Sequence, residues 1–151
     1  MDEITIRRAT ADDVTAIVAL LADDTLGASR ETPDDPAPYL AAFAALDADP
    51  AQTLLVAERD GGVIGTAQLT YIPGLSRRGA TRAQIEAVRI GEAARGTGLG
   101  SRLIEWCVAR SREHGCTLVQ LTSDVTRLDA HRFYEKLGFE ATHIGFKLTL
   151  R

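Results

Sequence analysis

The run Arg95-Gly96-Thr97-Gly98-Leu99-Gly100-Ser101 is the segment whose residue types and spacing speak most directly of chemistry. It follows an apolar strand-like stretch and opens a helix-like one. Glycines at such a turn let the backbone come close to a ligand and aim several N–H groups at it. A helix N-terminus adds partial positive charge, and Arg95 adds a cation of bidentate geometry, so the expected guest is an anion, above all a phosphate. Three phosphate loops compete. The P-loop requires Lys and then Ser or Thr after its last glycine, whereas Ser101 and Arg102 follow Gly100. The dinucleotide fingerprint requires Gly or Ala where Ser101 stands, and a place after the first strand, whereas this loop comes late in the chain. A third pattern, Gln/Arg-x-x-Gly-x-Gly/Ala, is met in full by Arg95, Gly98 and Gly100.

That third pattern resembles the pyrophosphate-binding motif of the GNAT superfamily of N-acetyltransferases, which are acetyl-CoA-dependent. A second segment, Ala130-His131-Arg132-Phe133-Tyr134-Glu135-Lys136-Leu137-Gly138-Phe139, resembles the family's A-x-x-x-Y-x-x-x-G-F at every fixed position. The order of strands and helices is similar to that family over nearly the whole chain. The resemblance implies that acetyl-CoA is the acetyl donor, held by Arg95, Gly96, Thr97, Gly98, Leu99, Gly100 and Ser101. It implies that the cofactor also runs along Val88, Arg89 and Ile90, with main-chain atoms of Val88 and Ile90 pairing with it and an N–H near Val88 facing the thioester oxygen. It implies the family's general-acid role, on the coenzyme A sulfur, for Tyr134. Arg127 stands where members often carry a cofactor-contacting Asn, and could reach a phosphate instead. Many relatives pair, so a homodimer is expected.

Acetyl transfer to a primary amine by direct attack, through a tetrahedral intermediate, needs a neutral amine, donors for the oxyanion and a proton for the thiolate. A lysine-type amine has a pKa of about 10.4, so a base helps near neutrality. Glu86 is the candidate general base, acting directly or through water; the other reading is a solvated carboxylate balancing Arg82 or Arg89. In Gln84-Ile85-Glu86-Ala87-Val88-Arg89-Ile90 the apolar phase slips after Ala87, which predicts a β-bulge. Tyr134 also admits a plainer reading, a half-buried helix aromatic. The rival from another class is a non-catalytic acyl-CoA-binding sensor or regulatory module. A dinucleotide oxidoreductase fragment is disfavoured by Ser101.

These residues must be placed by a single domain spanning 1–151. Ile4 and Ile6 read as strand, Thr10 and Asp13 as a capping box, and Val14, Ile17, Val18 and Leu21 as one helix face. Residues 25–37 read as loop, and Pro38–Ala48 as a second helix with Tyr39, Leu40, Phe43 and Leu46 inward. Asp60-Gly61-Gly62 joins two strands, Leu54–Glu58 and Val63–Ile72. A flexible loop, a strand Arg82–Ile90 and a helix to about His114 follow, with Leu99, Leu103, Trp106 and Cys107 as its inner stripe. Leu118–Leu121, a helix Ala130–Leu137 ended by Gly138, and a strand Phe139–Leu150 complete the order. The fold class is α/β (α+β), a GNAT-like mixed, mostly antiparallel twisted sheet of about six to seven strands flanked by about four helices.

Net charge of −4 and a pI near 5.4 argue against nucleic acid as a partner. From the acidic Met1-Asp2-Glu3 start no leader is expected, and no apolar run approaches the roughly 20 residues of a membrane span, so no membrane and a cytoplasmic location are expected. Cys107 and Cys116 cannot by themselves build a zinc site, and no metal is expected. The partner is a small-molecule or peptide amine that the sequence does not identify.

Overall fold

Each apolar–polar alternation up to Leu121 becomes a strand where turn chemistry bounds it. The computed structural model describes residues 3–24 and 26–150 and divides into two compact units, Met1–Gln120 and Leu121–Arg151. The first unit runs β1 (Ile4–Arg8), a 3-10 turn Ala11–Asp13, α1 (Val14–Ala22), α2 (Gly27–Arg30), α3 (Ala37–Ala48), β2 (Gln52–Arg59) and β3 (Gly62–Pro73). It continues through α4 (Ser76–Gly79), β4 (Thr81–Ile90), a 3-10 turn Glu92–Ala94 and α5 (Leu99–Glu113) to β5 (Leu118–Leu121), whose last residue begins the second unit. The sheet order is β1-β2-β3-β4-β5, with β1 to β4 antiparallel. Thr117 N–H donates to Thr81 O, and the Gln120 amide donates to Gln84 Oε1. Both contacts advance three residues in the same sense, so β5 runs parallel to β4.

Asp60 (φ 53°) and Gly61 (φ 78°) make the tight β2–β3 turn, the left-handed pair that a two-residue hairpin demands. On one face Val56 packs with Ala9 and Ile17, flanked by Leu21, Phe43 and Leu54. On the other, fully buried Leu55, Leu69 and Ile85 alternate away from that cluster, and α5 lies against β3 and β4. Gly65 allows the close approach there: a Cβ on it would stand 3.2 Å from both Leu99 and Leu103.

Asp13 reaches back to accept from Thr10 N–H at 2.7 Å, the acidic half of the expected capping box. The same carboxylate takes two hydrogen bonds from Arg7, at 2.8 and 3.0 Å, and Arg7 Nε also donates to Glu58 at 2.8 Å. The Arg7 guanidinium holds the buried Asp13 below the usual carboxylate range, against the opposing pull of burial. A depressed folded pKa stabilises above the unfolded carboxylate pKa, and that stabilisation disappears as pH falls through the folded value. Asp13→Asn is therefore expected to cost about 1–3 kcal/mol at neutral pH in chemical unfolding. The gap to wild type should close in acid; a gap that persists unchanged at low pH contradicts this account.

The second unit contains α6 (Leu128–Lys136). Asp124 organises its entry: Thr126 donates to Asp124 Oδ1 through N–H at 2.9 Å and through its hydroxyl at 2.6 Å. Its exit is a Schellman motif. Gly138 at φ 95° donates to Glu135 O at 3.0 Å, and Phe139 N–H to Tyr134 O at 3.1 Å.

Four expectations are corrected. The described residues form five strands rather than six to seven, because residues 139–150 form none and make no backbone hydrogen bond beyond Phe139. Alternation supplies a strand's pattern but not its partner. Six helical segments replace about four; α2 interrupts the expected loop 25–37, and α4 is a single turn in which Arg77 and Arg78 are left-handed. Leu40 lies on the outer side of α3, 47% exposed, while Tyr39, Phe43 and Leu46 are half-buried. Trp106 is half-buried rather than core, with the Arg110 guanidinium 4.7 Å above its ring; Ile104 takes the inner place. Cys107 is indeed a core hydrophobe, and burial pushes its thiol up to about 12.

Candidate active site

The glycine loop is an open anion cradle. Gly96 (φ 77°) and Gly98 (φ 84°) hold left-handed backbone, and a Cβ on either would meet no other protein atom within 4 Å. Their need for glycine is thus conformational, and the space above them is clear. Helix α5 begins at Leu99, with no side-chain cap, and Arg102 N–H is the first to find Gly98 O, at 3.2 Å. The N–H groups of Leu99, Gly100 and Ser101 therefore face out of the helix end, where an anion accepts them. Thr97 braces the loop by donating to Ala94 O. Arg95 donates to Ile90 O at 3.2 Å and lies 3.5 Å from Asp23, with both side chains more than half exposed. So loose an ion pair yields readily to a phosphate. These features fit the pyrophosphate of coenzyme A.

Strand β4 carries the expected bulge. Thr66 pairs with Arg89 and Gln68 with Glu86, which leaves Ala67 alone opposite both Ala87 and Val88. Ala87 adopts φ 53°, a left-handed value that a non-glycine residue takes at a cost of order 1–2 kcal/mol. The slip has two consequences. It turns Arg89 onto the α1 face, where it bonds Asp24 at 3.0 Å and its Nε is buried without a hydrogen-bond partner. It also interrupts the β3–β4 pairing at Ala87 and Val88, as the expected main-chain contact with a ligand requires.

Glu86 immediately precedes the bulge. It is exposed, and no ion pair joins it to Arg82 or Arg89. Its exposure fits the solvated-carboxylate reading, though without an ion pair to either arginine. Around it the register assembles a row of neutral polar groups on the α1 face: Gln52 opposite Thr70, Thr70 opposite Gln84, and Gln68 opposite Glu86. Gln52 Oε1 accepts from Gln68 at 3.0 Å and from Thr70 at 2.9 Å, and Gln84 accepts from Gln120 at 3.0 Å. Beside this shelf a cavity of about 150 Å³ opens between α1, α3 and the sheet, floored by Leu54, Thr66, Gln68 and Ala87. Sequence reading missed the shelf. The alternation of Thr66, Gln68 and Thr70 with Ala67 and Leu69 was visible, but nothing in it said which face the polar row would meet.

In the second unit, Tyr134 is half-buried in the last turn of α6, in edge contact with Phe133 (ring centroids 5.1 Å) and Phe139 (6.0 Å). Arg127 caps the start of the same helix and is exposed. Among the described residues there is no group of three or more His, Cys, Asp and Glu side chains able to hold a metal, and no helix is long and apolar enough to cross a membrane.

The Acetyltransferase (GNAT) family matches residues 15–139, a span that contains the loop, the bulge and α6. The chain belongs to that family. Among its relatives, the aminoalkylphosphonate N-acetyltransferase of Salmonella typhimurium is 28% identical over 145 residues, covering 96% of this chain and 90% of that one. The glucosamine 6-phosphate N-acetyltransferase of Trypanosoma brucei brucei is 39% identical over 90 residues, 60% of this chain and 59% of that one. The crystal structure of a transcriptional regulator from Bacillus halodurans C-125 superposes with a TM-score of 0.95 at 45% identity, over 98% of this chain and all (100%) of that one. This acetyltransferase accordingly takes its acetyl group from acetyl-CoA and transfers it to an amine. Its mixed α/β architecture is the family's own.

Proposed function

We propose that this N-acetyltransferase acylates the primary amine of a small acceptor by direct attack on the thioester, with no covalent enzyme intermediate. The observation that carries the reading is the β4 bulge with unpaired Glu86 beside it and the polar shelf across it. Bound acetyl-CoA supplies an activated acetyl thioester. The N–H groups of residues 96–101 and the Arg95 guanidinium hold its pyrophosphate. Main chain at Val88, Arg89 and Ile90 lines the arm, and an N–H near Val88 steadies the oxygen that gains charge. Glu86 removes the amine proton, directly or through one water, and Tyr134 gives a proton to the departing sulfur. Arg127 holds a phosphate. The family match spans both compact units, which supports treating 1–151 as one functional domain. Free Cys107 and Cys116 support residence in the cytoplasm.

The acceptor lies over Gln52, Gln68, Thr70 and Gln84, whose amides and hydroxyl suit a substrate rich in neutral hydrogen-bonding groups. The named substrates of the two curated relatives, an aminoalkylphosphonate and glucosamine 6-phosphate, support a small amine. A second reading, a non-catalytic acyl-CoA sensor, is favoured by one observation, the regulator from Bacillus halodurans C-125. Turnover separates the two. Glu86→Gln in steady-state assays should lower kcat by about 10²-fold or more near neutrality, with acetyl-CoA affinity unchanged and the deficit shrinking as pH approaches that of the free amine. A full wild-type rate in the variant would remove Glu86 from the mechanism. No turnover in the wild type across a broad amine panel would favour the sensor.

A further inference from the structure

The cavity of about 150 Å³ between α1, α3 and the sheet lies wholly within the first compact unit. Its walls are apolar: α1 supplies Val14, Ile17 and Leu21, and α3 supplies Phe43 and Leu46. The polar groups that border it already have partners. The Tyr39 hydroxyl donates to Glu31 at 3.0 Å and accepts from Thr32 N–H at 2.8 Å. Thr66 donates to Leu55 O at 2.9 Å, and the Gln68 amide donates to Gln52 at 3.0 Å. Among the described residues no charged side chain lines the space. A phosphate or carboxylate would find no cation inside, whereas an apolar guest loses nothing by leaving water. An apolar cavity of this volume holds a group the size of a benzene ring. Its position decides which reactant carries that group. Ala87, at the bulge, forms part of the floor next to exposed Glu86, and Gln68, also in the lining, stands opposite Glu86. An acceptor whose amine meets Glu86 can bury its body here, while the methyl of an acetyl donor is too small to fill the space.

We propose that the acceptor is a primary amine bearing an apolar group of about six carbons, which this cavity takes up; the proposal rests on the reading of the chain as a catalytic acetyltransferase. The test compares phenethylamine, ethylamine and aminoethylphosphonate as acceptors in steady-state assays, with acetyl-CoA and then butyryl-CoA as donor. With acetyl-CoA, kcat/KM for phenethylamine should exceed that for either other amine by at least about tenfold. Ala42 lines the cavity yet is exposed, so it stands at the mouth. Ala42→Phe should therefore remove most of that preference, read as a ratio within the variant. Calorimetric titration with phenethylamine reads the cavity without turnover, and Ala42→Phe should weaken binding by at least about tenfold. Equal kcat/KM for the three amines, or a preference for the phosphonate, overturns the proposal and leaves acetyl transfer standing. A preference for butyryl-CoA with none among the amines gives the cavity to the donor and overturns it too. Binding of phenethylamine without turnover of any amine keeps the apolar guest but overturns the catalytic reading on which its role as acceptor rests. The wild-type series decides the matter even where Ala42→Phe fails to fold.

Discussion

Replacing Tyr134 by Phe is expected to lower kcat by about 10²–10⁴-fold while leaving the affinity for acetyl-CoA unchanged. The thiolate of coenzyme A must gain a proton as it departs, and a phenol is the group that the matched helix offers. The edge contacts of the Tyr134 ring with Phe133 and Phe139 persist with a Phe ring, and the Schellman bond from Phe139 N–H to Tyr134 O belongs to the backbone. A drop in kcat with unaltered binding isolates an interaction made on the way to the transition state. Retention of the full rate would take the proton-donor role away from Tyr134, and lost acetyl-CoA binding would recast it as a binding residue.

Gly98→Val is expected to weaken acetyl-CoA binding by at least about tenfold, which is roughly 1.4 kcal/mol. Gly98 sits at φ 84°, where a β-branched residue is strained, and it precedes the three free N–H groups of α5. The new side chain meets no protein atom at its Cβ, so the fold itself has room for it. Relief of strain would instead rotate the peptide at the mouth of the cradle, and the Val methyls would stand where a phosphate must approach. Calorimetric titration with acetyl-CoA measures the effect. Wild-type affinity in Gly98→Val would show that the cradle holds no part of the cofactor.

The parts of this site that were legible in the sequence are those governed by local rules. Gly138 was readable as the end of its helix and Asp60-Gly61 as a tight turn, and all three residues hold left-handed backbone. The phase slip after Ala87 announced the bulge because period-two alternation survives one extra residue only by changing face. The capping carboxylate of Asp13 was readable from its spacing to Thr10. What stayed hidden depends on partners distant in sequence. Glu86 read either as a general base or as a carboxylate balancing Arg82 or Arg89, and the partner that Arg89 takes, Asp24, was not visible in the sequence. The shelf of Gln52, Gln68, Thr70, Gln84 and Gln120 joins four strands, and only their register brings it together. Trp106 looked inward by helical phase, yet the stripe turned toward Ile104 and left the indole to Arg110. Phe139–Leu150 reads as a strand by alternation, yet it forms none.

The most direct test of the central claim is thermal unfolding of the wild-type protein with acetyl-CoA, coenzyme A, NAD or ATP at matched concentrations. A ligand bound only by the native state at about 100 times its Kd adds roughly 2.7 kcal/mol, or roughly 5–10 °C in Tm for a chain of this size. A rise of that order with acetyl-CoA and coenzyme A, and none with NAD or ATP, is the predicted result. A rise with NAD, or no rise with either coenzyme A form, would contradict the assignment of the cradle from Arg95 to Ser101.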